Sequence, residues 1–252
     1  MNWLLAMAMG SLVGLSLGMF GSGGSVLAVP ILVYVLGYET KSAIAMSLAI
    51  VGLTALTGAV LQWRRRELCH KAALFFSIIG ILGTLVGTWV ALRVSGKLQL
   101  ILFGSLMVIV ALAMLRKKEA DLTTGMDECH MRPELAGGLG AGVGFMTGLL
   151  GVGGGFLIVP ALNTLGNLKL RLAIGTSLLV IAVNSTAGVL GYLGKVSFDW
   201  PIVVVFVAVS SLASFLGVAL SHRLHVKKLR KGFAGFILVL GVWLVVKNVF
   251  YS

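Results

Sequence analysis

Charge is scarce in this chain. Only 11% of its 252 residues are Asp, Glu, Lys or Arg, less than half of the roughly 25% carried by a soluble domain. Hydrophobic residues make up 58% and fall in long apolar runs. A soluble fold is thereby excluded, and at roughly 20 residues per span the length suits about 8 to 10 membrane segments with no room for a soluble domain. No Asp, Glu, Lys, Arg or His sits deep in any apolar run, so the usual intramembrane proton relay is missing. Any coupling proton then rides on the substrate or on residues at the pocket mouth, where Glu39 and Asp199 stand. Only two cysteines are present, Cys69 and Cys129, too few for a disulfide framework, and the chain reads as unstapled. Each is followed by a histidine, His70 and His130, but the spacing matches no metal motif and no metal is expected. A phosphate-binding GxxxxGK[ST] loop is absent. The opening MNWLLAMAMG has neither a basic n-region nor a clear cleavage site; it reads as the first membrane element.

Lys and Arg exceed Asp and Glu, for a net charge of +12. With no folded polar surface to carry a basic patch, this is loop bias and not a nucleic-acid footprint. Trp3, Trp63, Trp89, Trp200 and Trp243 fall near span ends and read as an interfacial belt.

The chain contains an internal repeat at an offset of 130. Gly21 to Pro30, GSGGSVLAVP, matches Gly151 to Pro160, GVGGGFLIVP, at six of ten positions. The same register pairs Gly14 with Gly144, Gly18 with Gly148, Ser47 with Ser177, Gly58 with Gly188 and Gly87 with Gly217. Each half therefore holds a glycine-interrupted segment, at about 3–37 and 135–166, followed by three helices. These are expected at about 43–63, 72–92 and 98–115, and at about 172–193, 200–221 and 232–250. The division is 1–115 and 134–252, joined by a polar cytoplasmic linker at 116–133.

Charge distribution selects the topology. If each glycine-interrupted segment crosses once, the twenty basic residues split ten and ten. If each is a hairpin that enters and leaves on one face, they split fifteen and five, as the positive-inside rule requires. Lys41, Arg93, Lys97, Lys195 and Lys247 form the poorer face. The fold class is then an all-α integral membrane protein of two inverted structural repeats, each a glycine-broken helical hairpin plus three transmembrane helices. The chain would lie in the cell (plasma or inner) membrane as a multi-pass protein with both termini outside. Inverted repeats with broken helices place a substrate near the midplane in secondary transporters.

Glycine turns give this site its chemistry. Gly21, Ser22, Gly23, Gly24 and Ser25 in the first half, and Gly151, Gly153, Gly154 and Gly155 in the second, allow positive φ and close approach of a ligand. The short helix after each turn begins with unpaired N–H groups and a positive dipole end, which together favour an anion. Ser47, Thr54, Thr57, Thr176, Ser177 and Asn184 lie on the next helices and are the polar candidates for the pocket wall. Gly14, Gly18, Gly144 and Gly148 read as close helix packing instead.

The paired GxGGG-x-hydrophobic-Pro motifs, the serine in the second helix of each half, and Tyr192-Leu193-Gly194 running to Phe198-Asp199-Trp200 resemble the TauE/SafE sulfite exporter family of membrane permeases, over essentially the whole chain. Ser25 stands where a full GxGGG would have its last glycine. The resemblance implies export or passage of sulfite, sulfoacetate or related organosulfonates. Together the readings give a secondary transporter, an exporter of small anions, whose partners are the anion, membrane lipid and protons as a coupling ion. An anion channel is the alternative, and a membrane-embedded maturation or scaffold protein a more distant one. No nucleophile, metal-ligand set or acid pair lies in the spans, so neither an enzyme nor a cofactor is expected.

Overall fold

In the computed structural model the described residues are 3–20, 24–116, 133–162, 168–221 and 226–250. They form ten α-helices: α1 (Trp3–Phe20), α2 (Ser25–Pro30), α3 (Thr40–Arg64), α4 (His70–Arg93), α5 (Gly96–Arg116), α6 (Pro133–Leu150), α7 (Gly155–Pro160), α8 (Leu170–Tyr192), α9 (Trp200–Ser221) and α10 (Val226–Phe250). Five of these, α3, α4, α5, α8 and α9, are long and apolar enough to cross a membrane. Shorter apolar helices occupy Trp3–Met19, Ser25–Val35, Gly137–Leu150 and Ala234–Phe250.

Leu74, Ile78, Leu82 and Val86 of α4 and Val204, Leu212 and Leu216 of α9 point outward, Leu82 64% and Leu212 70% exposed. The inside holds Ser25, Ser47, Thr54, Thr84, Thr147, Asn184, Ser185 and Ser210, all fully buried. Apolar exterior around a polar-studded interior is the pattern of a helical bundle solvated by lipid, where helices associate through small residues and hydrogen bonds. The five tryptophans of the expected belt are all exposed, and the Arg93 guanidinium stacks 3.4 Å from the Trp89 ring centre.

The glycine-interrupted segments break where expected. α2 contains Pro30, which lacks an N–H and loosens the turn that follows. The helix widens into a π-helical turn over Ile31–Val35, and the Tyr38 N–H reaches the Leu32 carbonyl (3.0 Å). The same bond recurs at +130, from the Leu168 N–H to the Leu162 carbonyl (3.1 Å).

The helices pack in a crossed pattern. Gly10, Gly14 and Gly18 of α1 face Phe206, Ser210 and Ser214 of α9. Gly140, Gly144 and Gly148 of α6 face Phe76, Gly80 and Thr84 of α4 in the same register. Both pairs run parallel. A Cβ on Gly14 or Gly144 would land on the Ser210 or Gly80 carbonyl oxygen, so only glycine permits the approach. α3 and α8 run antiparallel: Leu48 meets Gly188, Gly52 meets Ser185 and Gly58 meets Leu178. α4 and α8 share a direction: Gly80, Thr84 and Thr88 meet Asn184, Gly188 and Gly191.

Two of the basic residues assigned to the poorer face have defined partners. Lys41 Nζ donates to the Leu92 carbonyl (2.9 Å), and Lys247 lies 4.0 Å from the Tyr34 ring centre. Cys69 corrects one expectation: it is disulfide-bonded, so the chain is stapled at the start of α4. A single bridge needs only two cysteines, and a rule about frameworks gave no reason to exclude it. Cys129 lies outside the described residues.

Candidate functional site

The site is built around the crossing of α3 and α8 and the second glycine turn. Gly151, Gly153 and Gly154 have φ of +71°, +63° and +65°, a left-handed backbone that side-chain-bearing residues rarely adopt. The first turn is not its copy, since Gly24 is right-handed (φ −66°). Gly21, Ser22 and Gly23 lie outside the described residues. No side chain caps α2 or α7, which leaves their first N–H groups without that partner.

Two of the motif glycines close hairpins. A Cβ on Gly24 would strike the Val13 carbonyl and Leu17 of α1, and one on Gly154 would strike Thr147 and Val143 of α6. Gly151 abuts Ile44 of α3. Gly153 faces the crossing itself, between Val51, Ile181 and Ser185. Gly155 is buried at the start of α7.

Several hydroxyls expected on the pocket wall are already engaged. Ser47 Oγ lies within reach of two carbonyls, that of Ile44 at 2.7 Å and that of Gly151; it ties the second turn to α3. Ser177, its repeat mate, donates to the Ile174 carbonyl (2.7 Å). Thr54 Oγ1 bonds the Ile50 carbonyl (2.7 Å) and Ser210 Oγ (2.6 Å). Thr57 donates back to the Thr54 carbonyl. Thr176 accepts from the Cys69 N–H (3.0 Å), on the opposite side of the bundle from the Lys41 face. Ser25 is fully buried and has a partner.

Asn184 differs from all of these. It is fully buried, and neither Nδ2 nor Oδ1 has a partner. Beside it on α8, Ser185 is also fully buried with an unpartnered Oγ. A Cβ on Gly153 would lie 3.2 Å from that Oγ. Ser185 was not among the sequence candidates. Gln99 was missed as well; its Nε2 donates to the carbonyls of Ala91 (3.2 Å) and Leu149 (3.1 Å), holding α5 against the end of α6 beside the turn.

At the rim, Asp199 joins the two halves. Its Oδ2 accepts from the Tyr38 phenol at 2.5 Å, and its Oδ1 accepts from the Ile202 N–H at 3.4 Å. Ser42 and Ser197 bond alongside (2.9 Å). Glu39 caps α3 only through its backbone, accepting from the Ala43 N–H (2.8 Å). A surface cleft of about 470 Å³ is lined by Trp63, Arg64, Arg66, Leu68 and His70, at the far end of α3 from Tyr38. Among the described residues no group of three metal-ligating side chains converges.

The family described as "Sulfite exporter TauE/SafE" matches residues 6–244. The chain belongs to the TauE/SafE family. A "Probable membrane transporter protein" of Xylella fastidiosa (strain 9a5c) is 31% identical over 250 residues, covering 96% of this chain and 94% of that one. "Probable membrane transporter protein YunE" of Bacillus subtilis is 22% identical, covering 99% and 100%. A Haemophilus influenzae relative with the same transporter description is 25% identical, covering 97% and 98%. No solved structure matches. Membership of TauE/SafE, with these relatives and five membrane-length helices, makes this protein a membrane transporter. The polar interior around Asn184 is accordingly an interior within a TauE/SafE bundle.

Proposed function

We propose that this TauE/SafE protein is a secondary transporter that exports small anions of the sulfite, sulfoacetate and organosulfonate class. The observation that carries the reading is the pair of orphaned buried side chains on α8, Asn184 against Gly80 and Ser185 beside the Gly153 turn. Buried polar groups are normally hydrogen-bonded, and a ligand would supply the missing partners. The site comprises Asn184, Ser185 and the backbone of Gly151, Gly153, Gly154 and Gly155. Ser47 fixes the turn, while Thr54 and Ser177 support the wall. Gly21, Ser22, Gly23, Gly24 and Ser25 would form the opposing half. Uncapped helix starts at α2 and α7 favour an anion over a cation.

Inversion of the two halves is part of the proposal. It is supported by repeat-equivalent helices α3 and α8 running antiparallel, and by α1 on α9 mirroring α6 on α4. Both hairpins then enter and leave on their own faces, and the basic-rich face is cytoplasmic. Alternating access would rock one half against the other about the α3–α8 crossing. Both termini would lie outside the plasma or inner membrane, with the 116–133 linker inside.

Flux into liposomes tests the reading. Sulfite, sulfoacetate, sulfate and acetate are offered with and without a proton gradient. Saturable, gradient-sensitive movement of the sulfur anions is the expected result. Ohmic conductance would replace the carrier with a channel, and no movement of any anion by folded protein would remove the substrate class.

A further inference from the structure

One contacting pair of positions in the bundle interior changes its chemistry between the halves. By the 130 offset, Thr54 corresponds to Asn184 and Ser210 to Gly80. Thr54 and Ser210 satisfy each other across α3 and α9 at 2.6 Å, and Thr54 also reaches the Ile50 carbonyl. Across α8 and α4 the serine has become glycine and the threonine a longer asparagine. A Cβ on Gly80 would stand 2.5 Å from Nδ2 and 2.7 Å from Oδ1, so the Asn184 carboxamide lies directly on the bare Gly80 backbone. No partner for either amide atom follows from this exchange. Ser185 Oγ adds another unpartnered group, and Ser77 Oγ, one turn before Gly80 on α4, adds a third.

The chemistry of these atoms constrains what fills them. An amide nitrogen gives only donors and an amide oxygen only an acceptor. Exchanging the two by a flip leaves both needs in place. A fully deprotonated oxyanion, or a sulfonate, offers acceptors alone: it would satisfy Nδ2 and the serines but set its oxygen lone pairs against Oδ1. An oxyanion that keeps one acidic hydrogen satisfies both ends. Among the described residues no charged or titratable side chain is found here: the Asn184 carboxamide lies on Gly80, and Ser185 meets Gly52 and the Gly153 turn, which Val51 and Ile181 flank.

We propose that Asn184 is the specificity-determining residue of the site and that it selects a singly protonated oxyanion of hydrogensulfite type, so the transported species carries its own proton. This rests on the anion-transport reading and narrows its substrates to sulfite, setting aside sulfoacetate and the other organosulfonates. The protein needs no titrating side chain in its interior, and the Thr54–Ser210 pair is a structural counterpart that supports the wall while Asn184 meets the ligand.

The test is ligand-induced stabilisation of the detergent-purified protein against thermal unfolding. Probes are sulfite on the acid and the alkaline side of its second ionisation, and methanesulfonate, which has no hydrogen to donate, at the same two pH values. Three proteins are compared: wild type, Asn184→Leu, and the pair Asn184→Thr with Gly80→Ser. The pair copies side chains this bundle already packs at Thr54 and Ser210, so it keeps the test readable if the leucine variant does not fold. Wild type is expected to be stabilised by hydrogensulfite only, and both variants to lose roughly a hundredfold in apparent affinity. Equal stabilisation by methanesulfonate, or undiminished binding in the folded pair variant, would overturn the proposal and leave the anion-transport reading intact. Indifference of the wild type to every probe would overturn both.

Discussion

Tyr38 donates its phenol hydrogen to Asp199 across the boundary between the halves, from the connection before α3 to the connection before α9. Burial first, then the hydrogen bond to Asp199 and its negative charge, push the Tyr38 phenol up to about 12. A phenol raised above its ordinary 10.0 stabilises the fold fully below that ordinary value, and the stabilisation is lost as pH rises toward 12. Phenolate absorbance should therefore show a late-titrating component, and Tyr38→Phe should reduce it by the amplitude of one tyrosine. A late component unchanged by the substitution would place the raised phenol elsewhere.

Close packing on α4 gives a sharp contrast within one helix. A Cβ on Gly148 would enter the Thr84 carbonyl and the Thr88 N–H, while one on Gly138 would meet nothing within 4 Å. Gly148→Ala should cost about 1 to 3 kcal/mol through overpacking. Gly138→Ala should be neutral or stabilise by about 0.5 to 1 kcal/mol through helix propensity. Thermal unfolding of the two variants in detergent checks the pair; equal behaviour would mean α6 does not dock on α4 in this register.

Removing the hydroxyl that ties the second turn to α3 should loosen the turn. Ser47→Ala is expected to cost about 1 kcal/mol for the lost bond to the Gly151 carbonyl. Hydrogen exchange at Val152 and Gly153 should rise, since their backbone loses its anchor. Ser177→Ala, which removes only a bond within α8, should leave that exchange unchanged.

Thr54 and Ser210 should be coupled. A double-mutant cycle with Thr54→Val and Ser210→Ala is expected to give an interaction of about 0.5 to 1.5 kcal/mol. A coupling near zero would say that each hydroxyl is satisfied by its own helix.

The helices and their breaks were legible because their signals are local. Apolar runs gave the spans, and the repeat at +130 gave the two hairpins, down to matching bonds at Tyr38 and Leu168. The roles of the hydroxyls were not legible, because their partners come from far along the chain. Ser47 is spent on Gly151 and Thr54 on Ser210, and no local pattern shows that. Asn184 was a candidate as a polar residue on the helix after the turn, whereas its neighbour Ser185 was not singled out, since nothing local shows that its hydroxyl is left without a partner. Gly24 and Gly154 were read as ligand-facing from their motif, yet the atoms their missing Cβ would strike belong to their own hairpins. A repeat says which elements correspond and leaves open which of them touch.

The docking of α1 on α9 and of α6 on α4 sets an unequal timetable during synthesis. α6 emerges from the ribosome after α4 has been made and finds its groove waiting. α1 is made first, and the backbone groove that its glycines fit is encoded about two hundred residues later. Until α9 arrives, the first hairpin has no mate and must be held in the bilayer or by the insertion machinery. A chain truncated before residue 200 should therefore be most vulnerable to proteolysis at its own beginning, not at its cut end.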